Sequence, residues 1–365
     1  MTIILGIKMS VIRKSSEDCR VFILGNVERY PSDIAKVVAE KFDISRQAAN
    51  RHLQKLVEEN VLTIEGKTKG RRYSLKAQVT FTKQYLLDKG IAEDVVWMQD
   101  IRPTLGKLSD NVMNIWDYCF TEMFNNVIDH SSGSSVIVRV SKSAVNTRIE
   151  IQDNGVGIFK KIQKQLGLSD ERHAVLELAK GKFTTDPANH TGEGIFFSSR
   201  ACDDYAIFSG GVYFSHEFGK KEDWILEAKG LQGTTVIMKL NNHTSRRLKK
   251  VFDEYATVDG YGFNKTVVPV QLAQYGDDSL VSRSQAKRVL NRVDRFKTVL
   301  FDFKGVDSIG QAFADEIFRV FATQHPGIEI VDIRANKEVS NMILRARSAG
   351  IFLAEDIAKN QNELF

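Results

Sequence analysis

Residues 121–132 read TEMFNNVIDHSS, a crowd of polar groups in a stretch whose other residues suit a helix. Asparagine is a poor helix former, and a side-chain amide inside a fold must find hydrogen-bond partners. Glu122 and Asn126 stand four residues apart and Asp129 three further on, so all three share one helix face. A carboxylate and an amide oxygen stacked in this way can hold a Mg²⁺ ion and a water, because hard cations prefer oxygen ligands. Asn125 is turned away by about 100° and reads as a solvated or capping group. Three further stretches carry the same kind of signal. In DNGVG, 153–157, Asp153 ends the strand TRIEIQ and can accept a hydrogen bond from an exocyclic amine. Gly155 and Gly157 permit a turn and a close ligand approach. In HTGEGIFFSSRAC, 190–202, Gly192 and Gly194 precede a helix whose free N–H groups would face a phosphate. Gly233 and Thr234 open a terminal strand, where a hydroxyl can reach a base or a bound water. Taken singly, each has an ordinary structural explanation as a turn, a loop or a cap.

The elements that would position these residues run over about 108–245. They read helix (108–130), strand (SSVIVRVSKS), strand (TRIEIQDNG), a glycine-punctuated stretch, helix, and strands ending in GTTVIMKL. Helices on one side of a mostly antiparallel sheet form an α/β sandwich. In this order and spacing the four stretches resemble the GHKL ATPase family, with its gyrase-type, chaperone-type and histidine-kinase ATP-binding domains. Glu122 and Asn126 match the family's N box, Asp153, Gly155 and Gly157 its first glycine box, Gly192 and Gly194 its second, and Thr234 its late threonine. The resemblance implies bound ATP and Mg²⁺, with about 159–191 forming a mobile lid. It gives Asp153 the adenine amine, Asn126 the Mg²⁺, and Glu122 the role of candidate general base acting through a water. Asp129 and Glu193 are counted with the ATP-binding residues, and within the lid Lys182 and His190 are the candidates for phosphate. The one His-Glu pair, His216-Glu217, lies in an alternating strand pattern after the second glycine box, which argues against a two-component histidine kinase.

Ahead of this segment the charge is uneven. Residues 1–77 hold 15 Lys and Arg against 9 Asp and Glu, an excess of six, while the whole chain carries +5. A basic first segment on a near-neutral body suggests a polyanion partner for that segment. About 10–78 reads as three helices (RVFILGNVER, SDIAKVVAEKF, SRQAANRHLQKLVEENVL) and a basic hairpin (TIEGKTKGRRYSL), with Ser45 as a helix cap. This order resembles a winged helix-turn-helix, in which the third helix enters the major groove and the wing touches phosphates. Arg46, Gln47, Asn50 and Arg51 would then face the DNA, and Lys67, Lys69, Arg71 and Arg72 would charge the wing. The same module can instead dock a protein, its charges merely solvated. A helical connector is expected at 79–107.

The last segment, 263–365, alternates strand (KTVVPVQL), helix (SRSQAKRVLNRV), strand (KTVLFDFKG), helix (QAFADEIFRVFATQ), strand (IEIVDI) and helix (NKEVSNMILRARSAG), a small α/β domain. FDFKGVDSIGQAFADEIF resembles the STAS fold of anti-sigma-factor antagonists, whose serine before a helix is phosphorylated by a partner GHKL kinase. Ser308 is the matching phosphoacceptor candidate. The antagonists carry a second hydroxyl where this chain has Ile309, and Asp307 or Ser308 would serve equally as a helix cap. Prokaryotic proteins of unknown role join such a domain to a GHKL ATPase, and the chain resembles them.

A hydrophobic fraction of 42% and a charged fraction of 27% belong to a globular protein. The longest apolar runs are strand-sized, and the opening MTIILGIK is too short for a secretory signal, so the cytoplasm is expected and no membrane. Cys19, Cys119 and Cys202 lie far apart without metal spacing, as free thiols would. The start at Met1 or Met9 stays open. The expected architecture is a multi-domain α+β chain: winged helix, connector, GHKL α/β sandwich with an ATP lid, and STAS-like α/β domain. The expected function is an ATP-binding, DNA-binding transcriptional regulator. The alternative is a GHKL serine/threonine kinase or ATPase that uses its winged helix to dock a protein. Expected partners are DNA and a protein reached through the STAS-like domain, with a second copy of the chain allowed.

Overall fold

In a computed structural model the described residues are 16–67, 70–88, 90–183, 192–217, 220–256, 262–274 and 279–362, with backbone alone for 220–231 and 350–362. The first segment folds as helix α1 (16–26), α2 (Ile34–Phe42), α3 (Arg46–Glu58) and an antiparallel pair, β1 (Leu62–Glu65) and β2 (Arg72–Leu75). Apolar residues at helical spacing, among them Ile23, Val27, Ile34, Val38, Leu53 and Leu56, close a core of their own. Ser45 caps α3, accepting from the Ala48 N–H at 3.2 Å. Asp33 occupies the N-cap position of α2 without a side-chain bond.

The expected helical connector is in part a strand. VTFTKQYL, 79–86, becomes β3 (Val79–Leu86) and pairs along its length with β4 (Ser135–Lys142), from Val79 opposite Lys142 to Leu86 opposite Ser135. Its alternation has period two and is rich in β-branched and aromatic residues, which suits a pleated edge. Tyr85 from this strand is buried and meets Phe124 edge-on, ring centroids 5.7 Å apart. Only the second half of the connector is helical. Helix α4 begins as Glu93–Val96, passes through a π-helical turn at Trp97–Ile101 and ends as Arg102–Leu105.

Helix α5 (Asp110–His130) then crosses the sheet, burying Trp116, Phe120, Met123, Phe124 and Val127. The sheet continues with β5 (Asn146–Asp153), and after helices α6 (Ile158–Leu166), α7 (Glu171–Lys180) and α8 (Gly194–Ala201) with β6 (Asp204–Glu217) and β7 (Lys220–Asn241). The strand order is β3-β4-β5-β7-β6, all neighbours antiparallel. Val136, Val138, Val140, Ile149 and Ile151 face the helices, while Arg139 on the other face binds Glu150 and Gln152. The stretch expected as a lid therefore contains two helices, and 184–191 lie outside the described residues.

Helix α9 (Leu248–Glu254) leads to a parallel three-stranded sheet of β8 (Lys265–Pro269), β9 (Thr298–Asp302) and β10 (Glu329–Ile333). Between them run α10 (Arg283–Leu290) and α11, which starts as Gln311–Asp315 and continues through π-helical Glu316–Phe321 to Ala322–Gln324. Helix α12 (Lys337–Asn362) follows β10. The expected capping by Asp307 or Ser308 is not found. Gly310 is the N-cap of α11, because Ile309 forms a β-bridge with Leu280 and delays the helix by two residues. Asn336 instead ties this loop down, donating to the carbonyls of Val306 and Asp307 at 3.1 and 2.8 Å. The apolar core of the central sheet runs on into this domain through Phe196, Phe263 and Phe296, with centroid separations of 4.5 and 5.2 Å.

Candidate functional site

Between α5, the end of β5, the start of α6, the N-terminus of α8 and strand β7 lies a cavity of about 390 Å³. Helix α5 gives it Glu122, Asn126 and His130, three residues at a spacing of four, which puts them in one line along the helix. Asn125 lines the cavity as well, so it is not the merely solvated group its angular offset suggested.

At one end stands Asp153, 4% exposed. Its Oδ1 accepts the N–H groups of Gly155 at 2.8 Å and Thr234 at 3.2 Å. Burial pushes its carboxyl above the ordinary range, and those two N–H groups and the Thr234 hydroxyl pull it back. An ionised carboxylate offers about four acceptor sites, so Asp153 keeps capacity for an amine on a ligand. Thr234 Oγ1 also accepts from the Ile158 N–H at 3.0 Å, fixing the first turn of α6 at the cavity's edge. Gly155 is needed for closeness: a Cβ there would stand 2.0 Å from the Ser131 carbonyl oxygen.

At the other end Glu122 lies against the start of α8. A Cβ on Gly194 would meet its Oε2 at 2.0 Å, so with glycine there the helix N-terminus approaches the carboxylate without displacing it. Glu193 is the N-cap residue of α8, half-buried, and burial raises its carboxyl. Gly192 adopts φ +71°, and its carbonyl accepts from the Phe183 N–H at 3.1 Å, which brings the Phe183 ring into the wall.

Of the residues named from sequence, Glu122, Asn126, Asp153, Gly157, Gly192, Glu193, Gly194 and Thr234 line the cavity together, and Gly155 packs directly behind Asp153. Two stand elsewhere. Asp129 is exposed and off the lining, since three residues on from Asn126 the helix has turned past the cavity. Lys182 does not turn toward the cavity: its Nζ donates to the Arg295 carbonyl at 3.0 Å and sits over the Phe263 and Phe296 rings. Phe263 and Phe296 draw it there by cation–π attraction. His190 lies outside the described residues. Lys161 was not singled out from sequence. It lines the cavity, its Nζ donates to the His130 carbonyl at 2.7 Å, and burial lowers its pKa. Its signal was the helical offset from Gly157, which places residue 161 one turn into α6 and back over the ligand side.

On the N-terminal unit Arg46, Gln47, Asn50 and Arg51 are exposed on α3, opposite the buried Ala49, Leu53 and Leu56. Lys67, Arg71 and Arg72 are exposed around the β1–β2 turn, and Lys69 lies outside the described residues. Ser308 is half-buried in the loop before α11.

Residues 116–244 match the family described as histidine kinase-, DNA gyrase B-, and HSP90-like ATPase. Residues 285–340 match a STAS-like domain of unknown function, DUF4325. Among curated proteins none matches the chain. The chain thus carries a GHKL-type ATPase domain, which implies ATP binding, and such domains typically bind ATP with Mg²⁺. A little further along it carries a STAS-like domain. The cavity fits that ligand. A buried carboxylate with spare acceptor capacity suits an adenine amine, and glycines at a helix N-terminus suit phosphates. No group of three or more His, Cys, Asp or Glu side chains suited to a metal occurs among the described residues. No helix among the described residues is long and apolar enough to cross a membrane.

Proposed function

We propose that the chain is a cytoplasmic regulator in which Mg-ATP in the central cavity controls a DNA-binding N-terminal unit. The observation that carries this reading is the convergence of Glu122, Asn126, Asp153, Gly194 and Thr234 on one cavity from four separate elements. In it Asp153 takes the adenine amine, Asn126 offers its amide oxygen to Mg²⁺, and the first turn of α8 receives phosphate. Lys161 joins them as a cationic wall residue.

The N-terminal unit acts as a winged helix. Its support is the exposure of Arg46, Gln47, Asn50 and Arg51 on one side of α3, with Arg71 and Arg72 beside the hairpin turn. Glu28 after α1 binds Lys239 of β7 at 2.6 Å and Asn146 of β5 at 3.2 Å, so this unit rests on the ATPase sheet through residues outside α3. Gel shifts with short duplex DNA at several salt concentrations, with and without Mg-ATP, test the regulator directly. Binding that weakens with salt and changes with Mg-ATP is expected; no salt-dependent binding in either state removes this reading.

A second reading has its own support. In it Glu122, close to Gly194 at the start of α8, is the candidate general base for a water or hydroxyl attacking a terminal phosphate. The chain is then an ATPase or a serine/threonine kinase, with Ser308 as one candidate acceptor. Turnover or label transfer that vanishes in Glu122→Ala favours this enzyme; tight binding with negligible turnover favours the sensor.

A further inference from the structure

One wall of the cavity is not held by the ATPase domain alone. Phe183, whose ring lines the cavity, lies at the end of the stretch Gly181–Phe183 that follows α7, and this stretch is gripped by the STAS-like domain. Lys180, the last residue of α7, is 1% exposed. Its three protons go to Glu177 Oε1 at 2.8 Å and to the carbonyls of Arg288 and Asn291 at 3.0 and 2.8 Å. Those carbonyls end α10, so a lysine of one domain caps a helix of the other. The Lys180 carbonyl in turn accepts from Thr266 of β8 at 2.6 Å.

Arg292, just beyond α10, makes the contact nearest the cavity. Its guanidinium binds Glu177 Oε2 at 3.0 Å, donates to the Lys182 carbonyl, and stands 4.9 Å from the centre of the Phe183 ring. Arg295 adds a bond to the same carbonyl at 3.2 Å and receives the Lys182 ammonium on its own carbonyl. Backbone strain marks both sides of the junction. Lys182 and Arg292 adopt φ of +51° and +61°, a region that residues with a Cβ seldom occupy unless their surroundings enforce it. Each is held there by bonds to the other's domain.

We propose that Arg292 is a positioning residue for the nucleotide cavity: it fixes Phe183 and the Gly192 backbone bonded to it, and through them links occupancy of the cavity to the STAS-like domain. This rests on reading the cavity as the Mg-ATP site. A bidentate, planar guanidinium is required, because one group must satisfy a carboxylate and a carbonyl while lying against a ring. A lysine can keep the charge beside Glu177 but cannot make the three contacts together.

The full chain and its Arg292→Lys and Arg292→Ala variants are titrated with Mg-ATP, and amide exchange at Val293–Arg295 is followed with and without the nucleotide. The wild type is expected to bind and to gain protection at Val293–Arg295. Arg292→Lys, its fold checked by circular dichroism, is expected to bind at least about fivefold more weakly and to lose that distant protection. A merely structural charge would be rescued by lysine, so wild-type affinity and protection in Arg292→Lys overturn the proposal. Should Arg292→Ala fail to fold, the lysine variant still decides. If the wild type itself does not bind Mg-ATP, the nucleotide reading falls and takes this proposal with it.

Discussion

Asp153 carries the sharpest consequence at the scale of single residues. Burial raises its carboxyl pKa, so the folded chain holds that proton more tightly than the unfolded one. Its contribution to stability is therefore greatest at low pH and declines as pH rises from the ordinary carboxylate value through the raised one. Ligand binding has the opposite sign, because the charged form is the one that accepts an amine. Mg-ATP affinity measured against pH is expected to fall on acidification from a point above the ordinary carboxylate range. At Glu122 the expected separation is between binding and chemistry. Any ATP turnover by the wild type should drop about 100-fold or more in Glu122→Gln, with binding changed far less. Steady-state rates beside equilibrium titration measure both. Most of the residues that line the cavity were singled out in the sequence by their types and spacing, E-x₃-N, D-x-G-x-G and G-E-G. Asn125 and Lys161 were not, since an angular offset on an ideal helix does not tell how wide the cavity is or which helix leans over it. Lys182 sits over an aromatic pair that its charge alone did not announce.

Among the elements, α7 is the one whose place depends most on long-range contacts. Lys180 and Glu177 are both almost fully buried, and each satisfies partners on the STAS-like domain. Lys180→Ala would leave Glu177 with Arg292 and Asn291 only and would strip the last carbonyls of α10. Removing one member of a buried pair typically costs about 3–5 kcal/mol, and urea denaturation of wild type and variant should show a loss of that order. The order of helices and strands was largely readable from periodicity. The misses have physical reasons. In VTFTKQYL the pairing to β4 lies about 49 to 63 residues away in sequence, and nothing local announces it. The helix after Ser308 starts late because a β-bridge from Ile309 to Leu280 takes precedence over capping. The stretch after DNGVG contains two full helices because Phe159, Ile162, Ala174 and Val175 at helical spacing find the sheet to bury against.

For the molecule as a whole, only the boundary after the first segment follows the cores. The first segment has a core of its own, whereas the ATPase and STAS-like domains share one. On the proposed reading a nucleotide signal would reach the STAS-like domain through packed side chains, while the N-terminal unit is joined to the sheet by polar contacts such as Glu28 with Lys239. If α3 and the hairpin bind DNA, neutralising Arg46 and Arg51 together should weaken binding for all sequences and lower the salt slope by about two. Fluorescence anisotropy across a salt series reads that slope. The order of domains was visible in the sequence, but the shared core was not, because Phe196, Phe263 and Phe296 belong to segments that show no common pattern. The central claim is that the cavity takes Mg-ATP with Asp153 at its adenine end. Titration calorimetry of the full chain with ATP tests it most directly. One ATP per chain is expected, bound more weakly without Mg²⁺ and about 10- to 100-fold more weakly by a still-folded Asp153→Asn, as fits a lost bond to a charged group. No binding by the wild type, or undiminished binding by Asp153→Asn, would contradict it.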